Sequence, residues 1–386
     1  MMKTMWRMRK VLILALFLML AFGCGQKAPL VEKIMEGGVE VIINHLEPYT
    51  LPGEKTTIVL EKECVIDLED PAISDKGLYD INVFGVDSAG YIYLMAMQTQ
   101  TDHIFKFTRD GDFEKAFGHN GNGPGELSRP LHLWVTSNDE IFVADAGNTK
   151  LVYYDTEGNL LREKSLKSVI AITHPLTNGN FITFGMVMPE QGQNYLEYPP
   201  HLCDENMKPI RVLETFRLEN YRVTKRIRGT QPGFGFATSS DRIYTVNEVR
   251  RYEVYVHDFE GTLVRKIRKE YKSVKIDEDD KKRALERLNE FQRQYTYFPE
   301  TYPPCRSLFS DHEGRLFVVT YEPGENPGEN MVDVYNAEGA FSGRVSWNIL
   351  HGNTAITAFV KSERLYCVQE KQNGYKQFVV EKLTWK

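Results

Sequence analysis

Arginine and amide side chains stand just ahead of several strand-like runs in this chain: Arg129, Gln231, Arg306 and Asn353. Loops between later runs add Asp145, Asn148, Asn247, Arg250, Arg251 and Tyr321. A guanidinium presents a planar fork of donors that matches a carboxylate, a sulfate or a sugar acid bidentately. Arg129, Gln231, Arg250, Arg306, Tyr321 and Asn353 are therefore the candidate ligand-binding residues. The competing expectation is that each arginine simply pairs with an acidic loop residue beside it. A second candidate is aromatic. Tyr295, Tyr297, Phe298 and Tyr302 crowd the stretch that leads into Pro303-Pro304-Cys305-Arg306, with an echo at Tyr195, Tyr198, Pro199 and Pro200. Exposed at a rim they would stack on a sugar or a protein segment; otherwise they pack an insertion against its support.

Other chemistries lack their residues. Gly121-Asn-Gly123-Pro-Gly125 has no Lys-Ser/Thr after it and a proline at its centre, so it does not read as a phosphate cradle. The nine histidines form no H-E-x-x-H, and no G-x-S-x-G elbow occurs. No catalytic residue stands out. Asp145 and Asn148 are of calcium-ligand type, but capping a turn is the favoured reading, so neither a metal nor another cofactor is expected. Cys64, Cys203, Cys305 and Cys367 have wide, irregular spacing with no C-x-x-C, which favours buried free thiols.

The elements that must position these residues are short strands separated by two recurring turns. One class precedes Tyr/Phe-rich runs: Asp87-Ser-Ala-Gly90, Asn138-Asp139, Asn178-Gly179, Ser240-Asp241, His312-Glu-Gly314 and Ser362-Glu363. The other joins later strands at Asp110-Gly111, Asp155-Thr-Glu-Gly158, Asp204-Glu-Asn206, Asp258-Phe-Glu-Gly261 and Asn336-Ala-Glu-Gly339. Asp, Asn and Gly recur because tight hairpins need a positive φ or a side chain that closes the turn. A period of roughly 40 to 50 residues marks a propeller. Six turns of the first class and five of the second predict an all-β chain of six four-stranded blades whose last blade lacks an outer strand. The run from Lys55 to Asp67 can supply it by pairing with Gln377 to Leu383, closing the ring. The turns of the second class lie 47, 48, 55 and 78 residues apart. The long last interval holds a helical insertion between blades 4 and 5, about 270–300. Its helix is expected over Asp277 to Gln294, with Ala284, Leu285, Leu288, Phe291 and Tyr295 on one stripe docked on the propeller flank.

The segment from Phe117 through Gly121-Asn-Gly-Pro-Gly-Glu-Leu-Ser-Arg-Pro130 to Asp145-Ala-Gly-Asn148 resembles the NHL-type propeller repeat, with its G-x-G-P-G-E linker and Asp-x-x-Asn turn. At the N-terminus, Lys3, Arg7, Arg9 and Lys10 precede the apolar run Val11 to Phe22, which is too short for a comfortable membrane span and has the layout of a secretory signal. Gly23-Cys24 after it resembles a bacterial lipobox, with Phe22 where that motif has a small residue. The resemblance implies that Cys24 is the lipid attachment residue. Together these features resemble six-bladed propeller lipoproteins of exported bacterial proteins, whose function is mostly unassigned.

The expected organisation is a signal over residues 1–23, a tether and N-terminal extension over 24–54, and the propeller over 55–386. The whole chain carries 47 basic and 53 acidic residues. Removing the signal leaves 43 basic against 53 acidic, a net charge of −10. Nucleic acid, which is held by phosphate neutralisation, is not an expected partner. The expected partners are the membrane, through lipid on Cys24, and a small molecule, glycan or protein. The expected location is the cell envelope, lipid-anchored at the outer membrane and facing the periplasm. The function expected is binding of an anionic or carbohydrate ligand at the channel mouth. The alternative is a metal-dependent propeller enzyme of the lyase or lactonase type.

Overall fold

Strands buried on both faces show in the sequence as near-continuous apolar runs, and Val83–Val86, Ile92–Met95 and Ile141–Asp145 are buried at every position. In a computed structural model, which describes residues 31–49, 57–166, 172–349, 358–371 and 373–386, such runs assemble six sheets around a central channel. Blade 1 contains Val83–Val86, Ile92–Met95, Asp102–Phe107 and Phe113–His119, paired antiparallel from the channel outwards. Blades 2 to 5 repeat this order with inner strands Pro130–Val135, Ile172–Pro175, Phe234–Thr238 and Ser307–Ser310. Blade 6 takes Ala358–Lys361, Arg364–Glu370 and Lys376–Trp385 from the C-terminus and its outer strand, Ile58–Asp67, from the N-terminal side. Ile58 pairs with Trp385 and Asp67 with Gln377, so the expected closing strand is in place.

Each of the six turns of the first class joins an inner strand to its neighbour, and each of the five of the second joins the two outer strands. The second class works through its acid or amide. Asp155 Oδ1 accepts from the N–H groups of Glu157 and Asn159, and Asp258 Oδ1 from those of Glu260 and Thr262. The residue three beyond Asp155, Asp258 and the equivalent Asp204 has positive φ: Gly158, Gly261 and, without a glycine, Met207 at 64°. The ladder register shifts beside these turns, the signature of a bulged hairpin loop.

The core is a set of wedges between blades. Because side chains alternate across a strand, Tyr93 and Met95 pack towards blade 2 while Ile92 and Leu94 pack towards blade 6. Likewise Leu316 and Val318 face blade 4, and Phe317 and Val319 face blade 6. Cys64, Cys203, Cys305 and Cys367 are all buried in or beside these wedges as free thiols.

Three features add to the plain ring. Within the N-terminal extension, Glu32–Glu36 and Val39–Asn44 form a hairpin that joins the outer edge of blade 4, Val39–Asn44 running parallel to Leu263–Lys269. The insertion before blade 5 is not one helix but two, Glu278–Glu286 and Glu290–Tyr295. Asn289 restarts the helix through a capping box with Gln292, which breaks the expected single stripe. Neither helix buries a residue, and Phe291 is 54% exposed. Finally, Tyr195–Tyr198 and Phe216–Glu219 pair as a separate two-stranded ribbon. The chain beyond it, Ile227–Arg228, pairs in parallel with Thr296–Tyr297 of the helical insertion. No helix among the described residues is long and apolar enough to cross a membrane.

Candidate functional site

The inner strands leave a cavity of about 570 Å³ along the axis. Its walls are mainly apolar, with Trp134, Phe234, Phe236, Leu308 and Phe359, and carry hydroxyl groups from Thr238, Ser307 and Ser310. At the end where inner strands begin, Gln231 and Arg306 line it, together with Tyr198 and Leu218 of the separate ribbon. Ring stacking holds that ribbon in place: Phe216 lies 4.7 Å from Phe234 at an interplanar angle of 13°, and Tyr198 lies 6.0 Å from Phe184. The ribbon thus narrows the mouth with aromatic surface.

Arg306 sits directly before its inner strand, and its backbone N–H donates to Val319 O at 2.8 Å. Its guanidinium donates from Nη1 to Asn330 Oδ1 at 2.9 Å and lies 5.3 Å over the Tyr321 ring. Tyr321 is stacked flat on Tyr302, with centroids 4.2 Å apart. Two of the candidate residues therefore meet at one place, resting on the aromatic stretch before blade 5. Arg306 Nε is buried without a hydrogen-bond partner, and among the described residues no carboxylate forms an ion pair with this arginine. Burial pushes its pKa below the ordinary guanidinium value.

The other candidates are placed differently. Arg250 donates to Glu214 with both terminal nitrogens and lies 3.8 Å over Tyr255, so for it the competing expectation of a neighbouring acidic partner applies. Arg129 is exposed, and its backbone N–H donates to Asp145 Oδ1 at 2.8 Å. Asn353 lies outside the described residues, as do Cys24 and the signal. Asp145 is spent on the crossing between blades 1 and 2. It accepts from the N–H groups of Ser128, Arg129 and Gly147 and from Asn148 Nδ2. The glycine-rich linker is held in the same way, with Gly123 N–H donating to Glu126 and Asn148 Nδ2 donating to Gly121 O. Of the second aromatic group, Tyr198 reaches the cavity, whereas Arg226 covers Tyr297 at 4.0 Å and Phe298 packs against Gly229.

The channel also holds two histidines that no sequence motif marks. His132 and His174 are both buried on the cavity wall. His174 lies 4.0 Å edge-on to Trp134 and 5.6 Å from Phe236. Its Nε2 is 2.5 Å from Thr238 Oγ1, while its Nδ1 is buried with no partner. Desolvation, helped by His132, lowers its pKa to about 3, so the ring is neutral at ordinary pH. The signal was available in the sequence: each histidine is the third residue of its inner strand, Pro130-Leu-His132 and Ile172-Thr-His174. Among the described residues, no group of three or more His, Cys, Asp or Glu side chains is placed to hold a metal ion.

Residues 82–218 match the sequence profile of a family described as a 6-bladed beta-propeller. Among solved structures, the chain is similar to a protein from Bacteroides fragilis described as exported. They share 11% identity with a TM-score of 0.50, over 90% of this chain and 99% of that one. It is also similar to a member of the DUF4221 family from Bacteroides vulgatus, at 15% identity and a TM-score of 0.51, over 86% of this chain and 99% of that one. No curated protein matches. At such identities the likeness is one of fold, and it agrees with the sheets and turns described above: the chain folds as a six-bladed β-propeller.

Proposed function

We propose that this chain is an exported, lipid-anchored protein of the cell envelope whose propeller binds a small anionic ligand at the mouth of its channel. The observation that carries the reading is Arg306: a half-buried cation on the cavity wall, with an unpartnered Nε and no ion-paired carboxylate among the described residues, although the charge of Asp280 acts on it. A buried polar donor without a partner is costly, and a ligand carboxylate or sulfate would satisfy it. The cavity volume falls within the roughly 300–1,000 Å³ typical of small-molecule sites. Export rests on the basic, apolar and small-residue order of residues 1–24 and on the description of the Bacteroides fragilis relative.

Calorimetric titration of the purified propeller with a panel of organic acids tests the binding reading. Arg306→Gln should weaken every acid that binds by about tenfold or more, because a charge-assisted hydrogen bond is lost. Binding that is indifferent to this change would sink the proposed site. Stoichiometric calcium or zinc in elemental analysis would instead favour a metal-dependent enzyme. Lipid attachment is tested by metabolic labelling with a tagged fatty acid, which should mark the protein and fail to mark Cys24→Ser.

A further inference from the structure

We infer that the ligand is a flat, apolar acid bearing a second polar group at its far end, held between Arg306 at the mouth and His174 deep in the channel. The inference rests on the channel-binding reading above and names the class of molecule that fits. Its first support is the wall between the two poles. Apolar surface predominates there: Trp134, Phe234, Phe236, Leu308 and Phe359 offer rings and methyl groups, with the hydroxyls of Ser307, Thr238 and Ser310 as a minority. A polyhydroxylated acid would lose more water there than those few hydroxyls replace, whereas an aromatic or alicyclic body would stack.

The second support is the placement of the poles. Ser310 Oγ donates to Thr238 O at 2.6 Å, and Thr238 Oγ1 lies against His174, so Ser310, Thr238 and His174 share one level of the channel. Arg306 stands four residues before Ser310 on the same run of chain, and an extended strand rises about 3.3 Å per residue. The backbone levels that carry the two poles are thus roughly 13 Å apart along the axis. The third support is that each pole has a nitrogen whose hydrogen-bonding capacity is unused. Arg306 Nε and His174 Nδ1 are each buried and unpartnered, and whichever nitrogen of His174 carries the proton, Nδ1 remains a free donor or a free acceptor. A hydroxyl, which can donate or accept, satisfies either form.

The experiment uses four probes and three proteins. The probes are a biphenyl with a carboxylate at one para end and a hydroxyl at the other, the same biphenyl with the carboxylate alone, the same with the hydroxyl alone, and glucuronate. The proteins are the wild type, Arg306→Gln and His174→Phe, compared by calorimetry. The doubly substituted biphenyl should bind best to the wild type, and loss of either polar group should weaken it about tenfold. Arg306→Gln should erase the advantage of the carboxylate while keeping that of the hydroxyl. His174→Phe, which keeps the ring stacking, should do the reverse. A merely structural histidine would leave the hydroxyl's advantage intact, and that result overturns the inference. Thermal denaturation of both variants shows whether they remain folded. If they do not, Arg306→Met and His174→Leu take their place. Glucuronate binding in an Arg306-dependent way, with the biphenyls silent, overturns the class of ligand and leaves the anion site standing. If none of the four binds, the channel reading itself falls with the inference.

Discussion

Asp333 is the most completely buried carboxylate of the molecule's described part, and its surroundings show what burial of charge demands. It accepts from Tyr252 Oη at 2.5 Å and Arg344 Nε at 2.7 Å, with the equally buried Lys269 ammonium at 3.4 Å. Asp333→Asn would strand Lys269 without a counter-charge, a loss of about 3–5 kcal/mol in urea denaturation. Adding Lys269→Met should return part of that loss, whereas independent contributions would make the double variant worse. His174 makes the opposite kind of statement. Folded, its pKa is about 3; unfolded, it regains a value near the ordinary 6.5. Below pH 6.5 the unfolded chain binds a proton that the folded one refuses, so stability should fall on acidification from there towards pH 3. His174→Phe should remove that part of the slope, seen as a smaller drop in urea midpoint between pH 7 and pH 5. An unchanged drop would show that other groups cause it. Residue by residue, the site was only partly legible in the sequence. Arg306 could be picked out as a cation ahead of a strand, but nothing local distinguishes it from Arg250, whose partner Glu214 comes from a distant loop.

At the scale of elements, the hairpin strand Val39–Asn44 is fastened to blade 5 as well as to blade 4. Asn44 is wholly buried, donating to Gly339 O at 3.1 Å and Arg268 O at 3.3 Å and accepting from Phe341 N–H at 2.8 Å. Asn44→Ala leaves those three backbone groups without their partner, at a cost of about 1–3 kcal/mol in denaturant unfolding. Gly339 opposite cannot change either. Its φ is +84°, and a Cβ there would lie 2.7 Å from Ile267. This hairpin was not legible as a strand pair. Its residues Glu32–Glu36 are mostly exposed and charged, and its parallel pairing with Leu263–Lys269 spans more than two hundred residues. The blades were legible because each turn states itself locally, as Asp155 and Asp258 do by closing their own loops. The insertion was half legible. Asp277 marks its start by accepting from Asp280 N–H, but the restart at Asn289 turns one expected helix into two.

At the scale of the whole molecule, closure is what makes six sheets one cooperative unit. Ile58–Asp67 covers the outer edge of Lys376–Trp385, and reciprocal hydrogen bonds between Thr57 and Lys386, at 3.2 and 2.9 Å, clamp the end of the ladder. The same strand feeds two wedges: Ile66 and Cys64 pack into the one between blades 6 and 1, while Ile58 and Leu60 pack into the one between blades 5 and 6. A chain beginning at residue 69 would therefore expose a ten-residue edge and thin both wedges at once. A chain beginning at residue 57 keeps the closing strand and loses what precedes it, the outer hairpin and Tyr49 included. The first should elute as oligomers and melt well below the second, and a peptide covering residues 57–68 added in trans should restore part of the difference. The hairpin of residues 32–44 cannot substitute, because its own pairing commits it to blade 4. Equal midpoints for the two truncated chains would mean that blade 6 is stable with three strands, and that the ring is held by wedge packing alone.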